Sequence, residues 1–488
     1  MNQKQVIEVI NKLTGRELSL SPMYEKMNSW REWLEGTVEG FYEYSMTVDV
    51  VDHTTAKIKR HKTDMFKRAC EDWASLLLNE LTRFELDDKP SEEWLQGEGG
   101  GVLAENDFHR NANELVLVSR WAGTAAFEVF VEEMGVREDT ASLVDGKGVG
   151  INYLAGDQIV PISWRNGVLK EAAFVSDRIV GGKKGQAVSM HTIDPITGLF
   201  TITSLALDSD GKIVGDPVTV HTGSPVPWFA IIRKSGYNRW DSASPFGASI
   251  LDGNEDVLKG LDTAFDNFIV DFMLGRKMVF MNSSLFERDD NGGFVAPQMM
   301  GTQLFINIGD KLKGDSSMLE EYNPALRVAE NAEGVQKMLD IFSFKIGLGR
   351  GYYKLDENSL VKTATEYTGS KQFLIQNVAK EMIGIERALK TLVKALLWIG
   401  ENVLHVPGVK ADAEVNVIAD DGYITDEYTE RKVWQEEVAQ GLRSKAEYRK
   451  RFMGESDEEA KLAIGNIRSE SPVLTDLLST QLENEENA

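Results

Sequence analysis

The sequence predicts an α+β chain, helical towards both ends with an antiparallel sheet between. Three observations carry that expectation. Residues 1–150 are mainly helical in pattern, residues 150–233 change to short apolar runs flanking Asx-Gly turns, and three-to-four spacing returns after residue 243 around a mixed insert at 277–324. At 488 residues the chain also exceeds what one hydrophobic core usually supports, so two or three structural regions are expected.

In chain order, Ser21 and Pro22 form a helix-start signal leading into a helix over 23–38. A helix over 63–81 places Phe66, Cys70, Trp73 and Leu77 on one face, which predicts that this face is buried. Asn166-Gly167 stands between the apolar runs 159–162 and 167–174, and Asp210-Gly211 between 199–207 and 212–220. Such turns are the strongest short-range hairpin signal. A helix over 245–274 aligns Leu258, Leu261, Phe265, Phe268 and Phe272, with Asp252, Asp256, Asp262 and Asp266 on other faces. The insert carries a turn at 289–293 and strand-like runs at 278–281 and 303–306. A second helix, 325–346, aligns Val328, Val335, Met338, Phe342 and Ile346, and the glycine-punctuated stretch 347–362 interrupts it.

A third helix, over about 363–403, holds an unbroken repeat of Ile375, Val378, Met382, Ile385, Leu389, Leu392, Leu396 and Ile399. Its length of ~60 Å follows from the rise per residue, and globular helices average only ~11–12 residues. One narrow apolar seam of that length needs a matching partner surface. Periodicity allows either a bundle within the chain or packing against further copies.

Charge and composition exclude more than they assign. A formal charge of −24 argues against adhesion to phosphate or anionic lipid, though not against a machine that handles DNA without holding it. Cys70 is the only cysteine, so no intrachain disulfide forms, which fits a reducing compartment. Residues 1–10 show no signal-peptide pattern and the apolar patches are too short to span a bilayer, so a soluble intracellular product without a membrane partner is expected. No two of His53, His61, His109, His191, His221 and His405 sit at metal-ligand spacing. Gly146 to Gly150 and Gly347 to Gly351 lack the Lys-Ser or Lys-Thr ending of a phosphate loop. Asp208-Ser209-Asp210-Gly211 reads as a hairpin turn, being too short for a calcium loop. Pairs such as Asp420-Asp421 are too common here to mark a dyad, and no serine lies in a nucleophile elbow. No catalytic residue, metal or cofactor is expected. The densest basic cluster is Lys57, Lys59, Arg60, His61, Lys62, Lys67 and Arg68, readable as a solvated face or as a contact to phosphates or an acidic neighbouring subunit.

Several further motifs follow one another in order along the chain. They are Trp30, Trp33, Leu34 and Gly36, then 69–80 with Ala69-Cys70-Glu71-Asp72-Trp73, then Pro161, Trp164, Asn166-Gly167 and Ala173-Phe174. Pro245-Phe246-Gly247-Ala248-Ser249 with Leu261-Asp262 and Asp266 follows, then Thr363-Ala364-Thr365-Glu366, then Gly441-Leu442-Arg443-Ser444 with 453–460. Together these motifs resemble portal proteins of long-tailed bacteriophages; after Glu366 that family often continues with a valine and a polar, serine-rich helix, whereas Tyr367-Thr368-Gly369 stands here.

The resemblance implies a ring of about twelve copies at one capsid vertex. It implies a wing over 1–242, stem helices over 243–276 and 325–346, a clip at 277–324, a tunnel loop at 347–362, a long helix over 363–405 and a crown over 406–488 with an acidic tail. Implied partners are further copies of the chain, double-stranded DNA passing non-specifically, the terminase large subunit, head-completion or adaptor proteins, and major capsid and scaffolding proteins. A ~38 Å stem would face about 22 phosphates of a duplex, and a lysine for each would make passage slow. DNA contact is therefore expected only at Arg350, Lys354, Asn358 and Lys362, against ordinary loop solvation as the alternative reading. Other virion components (minor capsid or scaffolding protein) and a nucleic-acid-processing enzyme are the competing functions.

Overall fold

A computed structural model of the chain describes residues 3–47, 55–79, 81–97, 99–180, 182–275, 278–281, 287–288, 294–295, 304–307, 319–355, 364–418, 427–453 and 455–470. Helices α1 (Gln3–Thr14) and α2 (Met23–Glu35) precede the paired strands β1 (Glu43–Thr47) and β2 (Thr55–Lys59). Then come α3 (Met65–Leu77), β3 (Arg83–Leu86), α4 (Lys89–Gln96), α5 (Gly101–Glu105) and α6 (Phe108–Ala122). The β-rich middle holds β4 (Thr124–Glu132), β5 (Gly135–Arg137), β6 (Ser142–Asp145), β7 (Gly148–Ala155), β8 (Ile159–Arg165), β9 (Val168–Val180), β10 (Lys183–Ile193), β11 (Phe200–Leu207), β12 (Ile213–His221) and β13 (Phe229–Arg233). Helix α7 (Glu255–Leu274) leads to the short strands β14 (Met278–Met281), β15 (Glu287–Arg288), β16 (Phe294–Val295), β17 (Leu304–Asn307) and β18 (Leu319–Tyr322). The chain continues through α8 (Val328–Lys345), α9 (Ala364–Asn402), β19 (Val415–Ile418), α10 (Glu427–Ala439), α11 (Lys445–Met453) and α12 (Asp457–Glu470). Two compact units result, residues 1–359 with 371–421, and residues 360–370 with 422–488.

The α+β expectation agrees with this architecture. Both Asx-Gly turns close hairpins. Asn166 and Gly167 take positive φ between β8 and β9, the conformation a tight hairpin turn demands. At the β11–β12 turn the Asp208 carboxylate accepts the backbone N–H groups of Asp210 and Lys212 at 2.9 and 2.8 Å. The strands form a seven-stranded sheet, ordered β5-β6-β12-β11-β10-β9-β8, and a three-stranded sheet, β13-β4-β7. A buried polar link joins the two sheets, with His191 of β10 3.1 Å from Glu128 of β4 and both against Phe174 or Asn152.

The sheet begins earlier than the sequence pattern suggests. Helices dominate residues 1–122, but the last part of the range 1–150 is sheet, because β4 and β7 pair antiparallel along their length. β4 continues the apolar run that ends α6, so periodicity does not separate helix from buried strand. Gly123 makes the break at φ +79, and a side chain there would meet the Gly247 carbonyl.

The helix expected from 245 starts at Glu255 instead. Residues 245–250 use their hydrogen-bonding groups on the α6–β4 junction. Gly247 N–H donates to Thr124 Oγ1 at 2.8 Å, Ile250 N–H donates to the Arg120 carbonyl at 3.0 Å, and Phe246 is fully buried. That is the physical content of the Pro-Phe-Gly-Ala-Ser motif.

Helix α3 buries Phe66, Cys70, Trp73 and Leu77 as its spacing predicts. Burial pushes the Cys70 thiol up. In the second unit Ser444 and Glu447, and again Ser456 and Glu459, form reciprocal caps that start α11 and α12. Trp434, Tyr448 and Phe452 cluster between α10 and α11, with Arg443 over the Trp434 ring at 3.8 Å. No helix among the described residues is long and apolar enough to cross a membrane.

Candidate functional site

The glycine-rich stretch after α8 is held at its base from three sides. Gly347, Gly349 and Gly351 all take positive φ, which turns the chain sharply out of the helix. The Ser343 carbonyl accepts the N–H groups of Leu348 and Gly349 at 2.9 and 3.2 Å. Trp73 of α3 donates its indole N–H to the Ile346 carbonyl at 3.2 Å, and Asn377 of α9 donates to the Gly347 carbonyl at 2.9 Å. Further along, Gln336 of α8 brackets the backbone of Tyr353 to Leu355. It donates to the Tyr353 carbonyl and accepts from the Leu355 N–H, both at 2.9 Å.

A latch from α3 completes the frame. The Tyr353 hydroxyl donates to Asp72 Oδ2 at 2.7 Å, and Arg68 holds the other oxygen at 2.9 Å. Burial first, and the Asp72 carboxylate second, push the Tyr353 phenol far above its ordinary range, so it stays a donor. Arg350 and Lys354 sit on this framed loop and are exposed. Asn358 and Lys362 lie outside the described residues.

Helices α7 and α8 form a tight pair. Gly260 lies against Met338, with no room for a Cβ between them. Asp271 near the end of α7 receives Arg327 Nη2 at 2.8 Å and Asn331 at 3.0 Å at the start of α8, so the two run side by side in opposite directions. Leu258 and Leu261 are buried, Phe265 and Phe268 half-buried, and Phe272 is exposed. The seam of α7 is therefore closed at its beginning and open at its end.

Two of the α7 aspartates are core groups. Asp262 accepts from the Tyr42 hydroxyl at 2.6 Å and from the Thr63 hydroxyl and N–H at 2.6 and 2.9 Å. Asp266 accepts from His61 N–H at 3.0 Å and faces its Nδ1 at 2.8 Å, with Arg60 3.8 Å away. This accounts for much of the basic cluster. Lys62 pairs with Asp64, Lys67 with Glu71 and Arg68 with Asp72, whereas Lys57 and Lys59 are exposed on β2. Periodicity sees apolar residues only, so it gave no signal for these anchors, nor for Gln336, Asn377 or Asp72.

The α9 seam is broader than a narrow stripe. Val378, Ile385, Leu389, Leu392, Leu396 and Ile399 are buried and Met382 half-buried, but Ile375 is exposed and Leu374 is buried in its place. Towards its end Ala388, Val393, Ala395 and Leu397 are buried too. Gly400 packs on the Trp94 ring of α4, and Trp398 meets Trp228 at 6.0 Å between ring centres. The salt bridge from Arg120 of α6 to Glu381, 2.6 Å and buried, fixes the middle. For this half of the helix the bundle within the chain is the arrangement found.

No family model matches the chain, and no curated protein matches it. Solved structures do, among them the "Neck of native GTA particle computed with C12 symmetry". That likeness has 14% sequence identity, covers 79% of this chain and 87% of the other, and has a TM-score of 0.37.

Proposed function

We propose that the chain is a portal subunit of a tailed bacteriophage, a structural virion protein rather than an enzyme. Copies of it form a ring at one capsid vertex through which duplex DNA passes without sequence-specific contact. One observation carries the reading. A packed antiparallel helix pair, α7 and α8, brackets a small β insert and is followed by a framed glycine loop and a 39-residue helix. That order answers to stem, clip, stem, tunnel loop and long helix in the family whose motifs the sequence resembles. The exposed Arg350 and Lys354 on the loop suit a few cations guiding a duplex in a chain of net charge −24. In this reading the insert meets the packaging motor and later the head-completion proteins, and the wing meets capsid and scaffolding proteins.

Light scattering coupled to size exclusion, with negative-stain imaging, tests it. Rings with a central hole are expected. A chain that stays monomeric in every condition, its capsid partners included, would refute the reading.

A further inference from the structure

A cavity of 790 Å³ lies between the sheet and α9. Phe200 and Phe229 contribute apolar lining, and Lys170, Arg233, Lys234, Lys380, Arg387 and Lys394 also line it. Among the described residues the lining contains no aspartate or glutamate. None of those six cations is ion-paired among the described residues.

Two of them are held at a cost. Arg233 Nε is buried with no hydrogen-bond partner, and burial holds its guanidinium below the usual range. Lys234 is likewise held low by burial, and its ammonium donates to the Ser235 carbonyl at 3.1 Å. The nearby carboxylate of Glu381 is already taken by Arg120 at 2.6 Å and by the Ser235 N–H at 3.1 Å. Converging like charges repel and an unpaired buried donor is costly, so an anionic occupant would relieve both.

The surroundings identify the kind of occupant. Ile383 lines the cavity yet is 72% exposed, beside the outward-facing Arg387 and Lys394. A cationic surface with exposed apolar side chains fits a protein face better than a bare phosphate chain. The chain carries 77 acidic against 53 basic residues, so a further copy brings an excess of carboxylates to such a contact. A basic face meeting a different, acidic face of an identical chain is a head-to-tail contact, the kind that closes into rings.

We propose that this basic cavity receives an acidic surface of a second copy of the chain. The proposal rests on the ring reading above and names the surface that joins neighbours.

The test is the double charge reversal Arg387→Glu with Lys394→Glu, both at exposed positions. Association is expected to weaken by about tenfold or more, as for other desolvated charge pairs, with the circular dichroism and melting of the monomer unchanged. Zero-length carbodiimide coupling of mixed isotope-labelled and unlabelled wild-type rings is a second measurement. It is expected to join Lys380 or Lys394 to carboxylates of the other label. Rings of the double variant at wild-type concentrations, or wild-type rings in which Lys380 and Lys394 give no links to the other label, would overturn this surface and leave the ring reading standing. A wild type that never leaves the monomer would overturn both. Duplex DNA or heparin binding that is lost in the variant while rings persist would also overturn it, in favour of a polyanion site.

Discussion

Glu171 shows what a single carboxylate does in this acidic chain. It is buried and accepts two bonds from Arg16, at 2.7 and 2.9 Å, with further bonds from the Ser163 hydroxyl and the Ile193 N–H. Burial alone would raise its pKa, but these partners outweigh burial and hold it below the ordinary carboxylate range. A depressed carboxylate contributes stability that is present above its unfolded value, ~4.3, and is lost as pH falls through the folded value. Glu171→Gln is therefore expected to cost ~1–3 kcal/mol at neutral pH and to flatten the acid limb of the stability curve. Denaturant titrations across that limb check both. Which acids play such parts was not legible in the sequence. Asp262 and Asp266 share a helix with Asp256, yet Tyr42, Thr63 and His61 arrive from residues about two hundred positions away.

At the scale of elements, strongly periodic or turn-marked segments were legible. The buried face of α3, both Asx-Gly hairpins and the extent of α9 follow from spacing and turn chemistry. Two features were not. β4 hides in an apolar run, and residues 245–250 look helical while their amides are committed elsewhere. The α9 seam slips from Ile375 to Leu374 because a 3.6-residue turn drifts from any fixed three-four list. The contrast gives a paired test. Leu392→Asp puts a charge into a fully buried site and is expected to cost more than ~4 kcal/mol, seen as insoluble protein or a lost thermal transition. Ile375→Asp, at an exposed site, is expected to leave melting within ~0.5 kcal/mol of wild type. A folded, soluble Leu392→Asp chain would count against this packing.

For the whole molecule, the proposed ring would have to let an acidic polymer pass an acidic protein. In the proposed ring, a wall poor in cations would centre a duplex by repulsion, which would leave the few exposed loop cations to guide it. Lys354→Glu is expected to shorten or reduce packaged DNA while rings still assemble. Unchanged packaged length and titre would refute that role. Trp73, Tyr353 and Asn377 bind the loop base to α3 and α9, so the charge change is expected to leave the loop's frame intact. The lone cysteine has a practical bearing on such work. Since Cys70 is sealed inside α3's packed face and its thiol resists ionisation, a cysteine introduced at Lys354 would be the sole thiol open to maleimide. If copies close as proposed, one spin label or fluorophore per copy would then report the span across the collar, with Cys70 left in place.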